Sequence, residues 1–193
     1  MKDIFFLRTA KTGSSSIAQW CMRHETHITN NMIPLDKGEN SGLKEKLQEK
    51  KYYVFTLVRN PFTRAISCWQ QAKRIEWIEK GLPFEDYLKI PFHRILHPHY
   101  MTHSIPLADY LENYIGQFDK VVKLETIQED MDEICDLLGL EKSPIRHDRP
   151  GKYPASLLEE YNNPKIVDAV REVFKVDFET FNYSKDFDTS IVS

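Results

Sequence analysis

The sequence predicts a single α/β domain, a central parallel β-sheet flanked by helices. Three observations carry this expectation. Short apolar runs of strand length alternate with segments of helical periodicity. Residues 52–58, Tyr-Tyr-Val-Phe-Thr-Leu-Val, are β-branched and aromatic and apolar on both faces, as a central parallel strand should be. Two of the apolar runs also pass directly into helix-start chemistry, at Ser14–Ser16 and at Asn60-Pro61.

Taken in order, residues 4–8 read as a strand and 14–24 as a helix, with Ile17, Trp20 and Cys21 at helical spacing. Between them Thr9 to Gly13 forms a tight polar turn containing Lys11. Residues 25–50 are polar and read as a surface excursion with a short helix at 43–49. After strand 52–58, a helix opens at Pro61 under an Asn60 cap and runs to Lys80, with Gly81 as its stop. Residues 84–90 read as a short helix. Residues 91–106 are irregular and hold His93, His97, His99 and His103, four of the seven histidines. A short helix follows at 107–114 and a core strand at 120–124. Thr126-Ile-Gln-Glu129 reads as a capping box for a helix with apolar positions Ile127, Met131, Ile134, Leu137 and Leu138 and a stop at Gly139. Residues 141–155 form a basic loop with Arg146, His147, Arg149, Gly151 and Lys152. Asn163-Pro164 opens a last helix to Phe174, and the chain frays from Tyr183. The expected domain is 1–184, with 185–193 a polar tail.

At 193 residues the chain is long enough to bury a sizeable core. The net charge of −3 gives no field favouring nucleic acid or acidic membranes, so an anion site must be a local basic patch. No apolar run approaches the length of a membrane span, and no secretory signal is visible. Cys21, Cys68 and Cys135 lack metal spacing and read as buried small hydrophobes in a cytoplasmic protein. Trp20 reads as core; Trp69, Trp77 and the aromatics at 84–87 read as core too, with an acceptor-groove lining as the alternative.

Strand, small-residue turn and helix start aim backbone N–H groups and a helix dipole at one point, whose usual occupant is a phosphate. The turn is not an ATP-binding P-loop, where lysine follows the last glycine; here Lys11 precedes Gly13. The second core strand ends in Arg59, where a metal-binding acid would be expected. Arginine repels Mg²⁺ and attracts phosphate, so the site suits an anionic donor held without a metal.

Ala10-Lys11-Thr12-Gly13-Ser14-Ser15-Ser16 resembles the Pro-Lys-Thr-Gly-Ser-Thr-Ser segment of sulfotransferases that use 3′-phosphoadenosine 5′-phosphosulfate (PAPS). The segment from Arg59 to Ser67 resembles the family's second signature, Arg-(Asp or Asn)-Pro-x-x-Arg-x-x-Ser. Lys120 to Asp130 is similar to its later strand-plus-acid segment, and Asp177 to Tyr183 to its closing Asp-Phe-x-x-Phe-x-Tyr. The resemblance covers most of the chain and points to the carbohydrate-type branch. Ala10 departs from the family's proline. The implied fold is the P-loop NTPase-like sulfotransferase fold.

The resemblance implies that Lys11, Thr12, Gly13, Ser14, Ser15 and Ser16 wrap the 5′-phosphosulfate, with Lys11 stabilising the breaking S–O bond. It implies that Arg59 and Ser67 hold the 3′-phosphate, and that the late basic loop, Lys152 first, closes over the nucleotide. Arg64 is expected to form a salt bridge, with Glu125 as the candidate partner, rather than touch ligand. His103-Ser-Ile-Pro106 resembles a His-x-x-Pro-Gln segment, with Leu107 in the glutamine's place, so His103 ranks first as general base, then His99 and His97. His24 and His27 are lesser candidates. The implied reaction moves a sulfuryl group to a hydroxyl of a sugar or glycan and releases adenosine 3′,5′-bisphosphate, with no metal ligands. The chain is short for the family, leaving the acceptor site open or completed by a second copy in a homodimer. Two competing expectations are a P-loop kinase-like enzyme using ATP–Mg²⁺ and a non-catalytic nucleotide-binding protein of the same fold.

Overall fold

The computed structural model describes residues 3–24, 27–28, 52–91, 102–112, 114–146 and 158–188. Among them, strands β1 (Asp3–Leu7), β2 (His27–Ile28), β3 (Tyr52–Val58) and β4 (Lys120–Lys123) form a parallel sheet in the order β2-β1-β3-β4. The helices are α1 (Ser14–Arg23), α2 (Pro61–Arg74), α3 (Phe84–Leu88), α4 (Leu107–Leu111), α5 (Ile127–Leu138), α6 (Pro164–Val173) and α7 (Lys175–Thr180). The α/β expectation with a parallel sheet holds. No described helix is long and apolar enough to cross a membrane. The expected helix at 43–49 lies outside the described residues.

The chain groups into two compact units, each discontinuous in sequence: residues 1–59 with 111–150, and residues 60–110 with 151–193. The first holds the sheet. Phe6, Phe55, Leu57 and Val122 pack with Ile17, Trp20 and Cys21 of α1 and Ile127, Met131, Ile134 and Cys135 of α5. The 3.6-residue period puts these positions of each helix on one face. Leu137, expected on that face, is 69% exposed. Residues 53–58 of β3 are buried without a break, as a strand covered on both faces requires.

Asp130 ties β4 to α5. Its carboxylate accepts the Lys123 N–H (2.9 Å) and the Thr126 hydroxyl (3.0 Å) and pairs with the Lys120 ammonium (2.9 Å). The predicted capping box is therefore replaced: Thr126 makes no side-chain cap and donates to Asp130 instead. Gly139 ends α5 at φ 68, and the Leu140 N–H returns to Cys135 O (2.9 Å), as the expected stop requires.

The second unit is helical. Phe62, Ile66 and Trp69 of α2 pack with Phe84 and Tyr87 of α3 and with Val170, Phe174 and Phe178 of the C-terminal segment. The Asn60 side chain caps α2 by accepting the Phe62 N–H (3.0 Å). The expected run to Lys80 stops at Arg74. Glu76 takes a left-handed φ of 58, and the Glu76 and Trp77 N–H groups bond Lys73 O and Ala72 O. This is a Schellman-type stop built without glycine, which is why Gly81 drew the expected end too far.

Arg64 does form a salt bridge: Asp177 is a partner, at 3.8 Å, with both side chains almost fully buried (0% and 1% exposed). Burial pushes the Asp177 carboxyl up, against the opposing pull of Arg64 and of the Ala108 and Leu107 N–H groups. The chain also does not stop helical winding at Phe174. Helix α7 follows, burying Phe178, and the Tyr183 N–H donates to Phe178 O (3.0 Å) where fraying was expected. Phe187 then packs on Tyr161, the rings tilted by 36° with centroids 4.4 Å apart.

Burial raises the Asp130 pKa, but the Lys123 N–H, Lys120 and Thr126 together outweigh it and hold the carboxyl below its ordinary range. A depressed carboxylate adds stability above its unfolded pKa of about 3.9, which is lost as pH falls through the lower folded value. Urea unfolding should therefore show stability dropping more steeply between pH 5 and pH 3, both round experimental values bracketing about 3.9, in the wild type than in Asp130→Asn.

Candidate functional site

From β1 the chain goes through α1 to β2 on one side, and β3 pairs on the other side of β1. The connections thus diverge between β1 and β3. In open parallel sheets, the carboxyl ends of two such strands form the natural ligand crevice. Leu7 pairs with Thr56, so the turn after β1 and Arg59 after β3 leave the sheet side by side.

The turn is fixed by hydroxyls. Thr9 Oγ1 donates to Leu57 O across the strand pair. Its proton thus used, Thr9 Oγ1 accepts from Thr12 Oγ1 (3.0 Å), which also faces Thr9 O (3.2 Å). Thr9 and Thr12 are fully buried. Between them Lys11 adopts a left-handed φ of 64, and its carbonyl accepts a hydrogen bond from Arg59 Nη1 at 3.2 Å.

Gly13 follows at φ 82, and a Cβ there would lie 2.7 Å from Leu124 Cδ1. The left-handed backbone is what calls for glycine here, and the tip of the Leu124 side chain would have to shift to admit a Cβ. Gly13 is also the N-cap of α1, and no side chain caps that helix. Helix α2, by contrast, is closed by Asn60. The first-turn N–H groups of α1, with their positive end of the dipole, therefore face the turn unshielded by any side-chain cap.

Sequence reasoning gave Arg8 no role. Its Nε donates to Ser14 Oγ (3.2 Å) and Nη2 to Ser15 Oγ (3.4 Å). Arginine can only donate, so it occupies lone pairs of both serines and turns their O–H groups toward other acceptors. A sequence signal existed in the position itself, a cation directly after the strand that feeds the turn. Arg8, Lys11 and Arg59 thus bring three cationic side chains to one end of the sheet, where an anion would be stabilised.

The other expected residues divide. Ser67 lies on α2 and is buried at 9% exposure, in the second unit. His103 lies in that unit too. Its Nδ1 is 3.4 Å from Thr102 Oγ1, its ring meets Trp77 edge-on at 5.3 Å, and its carbonyl accepts from Arg64 Nη2 and the Cys68 thiol. His97, His99, Lys152 and most of the basic loop lie outside the described residues. His24 caps the far end of α1, about 15 Å along a ten-residue helix from the Lys11 turn, which removes it as a base for that turn. It packs on Trp20 at 4.3 Å, and burial, with Arg23 beside it, pushes its pKa down. His27 pairs with Phe5 on β2, inside the sheet register. All three cysteines are buried, as expected, and none is in a disulfide.

A family profile described as the sulfotransferase family matches residues 2–184 of the chain. No curated protein and no solved structure gives a match.

Gly13→Ala should destabilise the protein by about 1–2 kcal/mol, from the left-handed backbone alone, with a further loss as Leu124 is displaced. The measurement is the urea midpoint. Gly81→Ala, where an added Cβ meets nothing within 4 Å, serves as the neutral control.

Proposed function

The chain belongs to the sulfotransferase family, and we propose that it transfers a sulfuryl group from PAPS to a hydroxyl of a carbohydrate. The observation that carries this reading is the pairing of Lys11 with Arg59 at the divergence point of the sheet. Around it, the uncapped start of α1 and the bare Gly13 give a polyanion room and donors.

PAPS, when bound, supplies the electrophilic sulfur and a leaving phosphate on whose bridging oxygen negative charge develops. Lys11 opposes that charge, an electrostatic contribution that is often the largest in catalysis. The N–H groups and hydroxyls of residues 12–16 hold the phosphosulfate end, with the α1 dipole adding about 0.3–1 kcal/mol. Arg59 takes the 3′-phosphate, a charge-assisted contact worth about 1.5–3 kcal/mol, and the signature motif assigns Ser67 to the same phosphate. His103, with His99 next, takes the acceptor hydroxyl's proton. Lys152 closes the nucleotide side. The product is adenosine 3′,5′-bisphosphate. Arg59 stands where a kinase would hold Mg²⁺, which argues against the ATP-dependent alternative. The three buried cysteines, none in a disulfide, fit a reducing, cytoplasmic setting.

Incubation with PAPS and a glycan library should release adenosine 3′,5′-bisphosphate, and Lys11→Ala should lower kcat by at least about 10²-fold. The bisphosphate should raise the Tm and ATP–Mg²⁺ should not. The reverse pattern would favour a kinase-like enzyme, and bisphosphate binding without turnover of any acceptor would favour a non-catalytic nucleotide-binding protein.

A further inference from the structure

We propose that Arg59 is a positioning residue for Lys11: its guanidinium holds the Lys11 backbone in the left-handed conformation from which the lysine serves the site. This rests on the reading of Lys11 as the group that stabilises the leaving phosphate.

Lysine has no intrinsic reason to sit at φ 64. A Cβ crowds the following carbonyl there, and residues other than glycine keep such a backbone only when their surroundings over-determine it. The turn contains two left-handed residues. Gly13 adopts its φ of 82 without steric cost, so Lys11 is the one that needs holding.

Those surroundings are the threonine bonds of the turn and the Arg59 guanidinium. On either side, Thr9 and Thr12 fasten the turn to each other and to Leu57 O. Those bonds fix where the turn begins and ends. None of them is made to the carbonyl of the peptide group between Lys11 and Thr12, whose direction depends on Lys11 ψ as well as on its φ. The carbonyl of that peptide is where Arg59 Nη1 arrives, at 3.2 Å. Arg59 is itself anchored, because it follows directly on β3, whose register with β1 is set by the Phe6–Phe55 and Leu7–Thr56 pairs. A rigid strand thus presents a planar donor to the one carbonyl that reports the Lys11 conformation.

This role coexists with phosphate binding. A guanidinium carries five N–H donors in a fixed fork. The bond to Lys11 O uses one of them and so does not by itself preclude a contact with an anion. The same side chain thereby links the two ends of the donor site: it grips one phosphate and sets the backbone of the lysine that serves the other. A residue that only bound the 3′-phosphate would lose its effect with a donor that lacks that phosphate. A tether changes kcat as well, and does so even when the donor has no 3′-phosphate to bind.

The test uses the full-length, ligand-free protein and the ¹³Cα and ¹³Cβ chemical shifts of Lys11, which report its backbone angles. The wild type should show left-handed values. Arg59→Ala and Arg59→Met, the second keeping the stem without the donors, should move Lys11 to ordinary values while the Thr56 and Leu57 amide signals of β3 stay in place. Unmoved Lys11 shifts in either folded variant overturn the tether. Turnover is then measured with PAPS and with adenosine 5′-phosphosulfate, which lacks the 3′-phosphate. The tether predicts a fall in kcat of at least about tenfold with both donors. A variant that only raises KM for PAPS, with kcat intact, overturns it. A wild type that turns over neither donor defeats the sulfotransferase reading, and the chemical shifts still decide the tether.

Discussion

Forty-eight residues of chain separate Lys11 from Arg59, and the parallel pairing of β1 with β3 closes that gap. Everything at the site follows from that pairing. It sets two strand ends side by side, lets Thr9 reach across to Leu57 O, and gives Arg59 a fixed platform one residue beyond β3. The pairing is itself maintained by burial on both faces: β1 and β3 contribute Phe6, Phe55 and Leu57 to one core, stacked with the first helix on Trp20 and Ile17. Apolar packing in the sheet thus determines the placement of charge at its edge. A slip of one residue would turn each side chain of β3 to the other face and break the Thr9 contact together with the core.

The two strand-to-helix junctions carry the same ingredients and use them differently. At the second, Asn60 closes its helix with its own side chain, Pro61 sits at the first helical position, and the α2 N-terminus is satisfied from within. At the first, Gly13 supplies no side chain, so the helix start depends on something else for its donors. Inside the helical unit, the Arg64–Asp177 pair serves the fold. Arg64 also bonds the backbone of residue 103, and Asp177 accepts the Ala108 N–H (2.7 Å), so one buried pair connects α2, α4 and α7. A buried pair of this kind is weak evidence for net stability, since desolvation opposes the attraction. Its clearer effect is to fix how those segments register.

Much of this was legible in the sequence because the signals were local. The strand at 52–58 is found with its expected bounds, since continuous β-branched and aromatic character over seven residues has no competing reading. Asn-Pro pairs marked both capped helices, and Gly139 marked a stop, because proline and glycine act on their own backbone. What was missed depends on contacts distant in sequence or on residues that break a statistical habit. Glu76 ends α2 in a conformation usually given to glycine. Asp177 meets Arg64 across more than a hundred residues. Helix α7 had a visible signal in Phe174, Phe178 and Phe181, spaced four and three residues apart and all buried, but the motif reading of that stretch drew attention from its periodicity. At the site, the lysine, the glycine and Arg59 were readable from order alone. Arg8 was not, because a cation after a strand announces nothing until its serine partners are placed beside it.

The division of the chain into two sequence-interrupted units bears on how the protein can be made. A ribosome delivers residues in order, at about 5–20 per second. Strands β1 and β3, with Lys11 and Arg59, emerge early, yet β4, Leu124 and α5, which complete the first unit, emerge only after the intervening segment of the second. That segment in turn waits for residues beyond 150. The first unit cannot close before residues 111–150 have emerged, nor the second before those beyond 150, so nascent intermediates expose apolar sheet surface for seconds. The anion cradle, assembled from the earliest part of the chain, is therefore sealed against Leu124 only once more than half of the polypeptide has been synthesised.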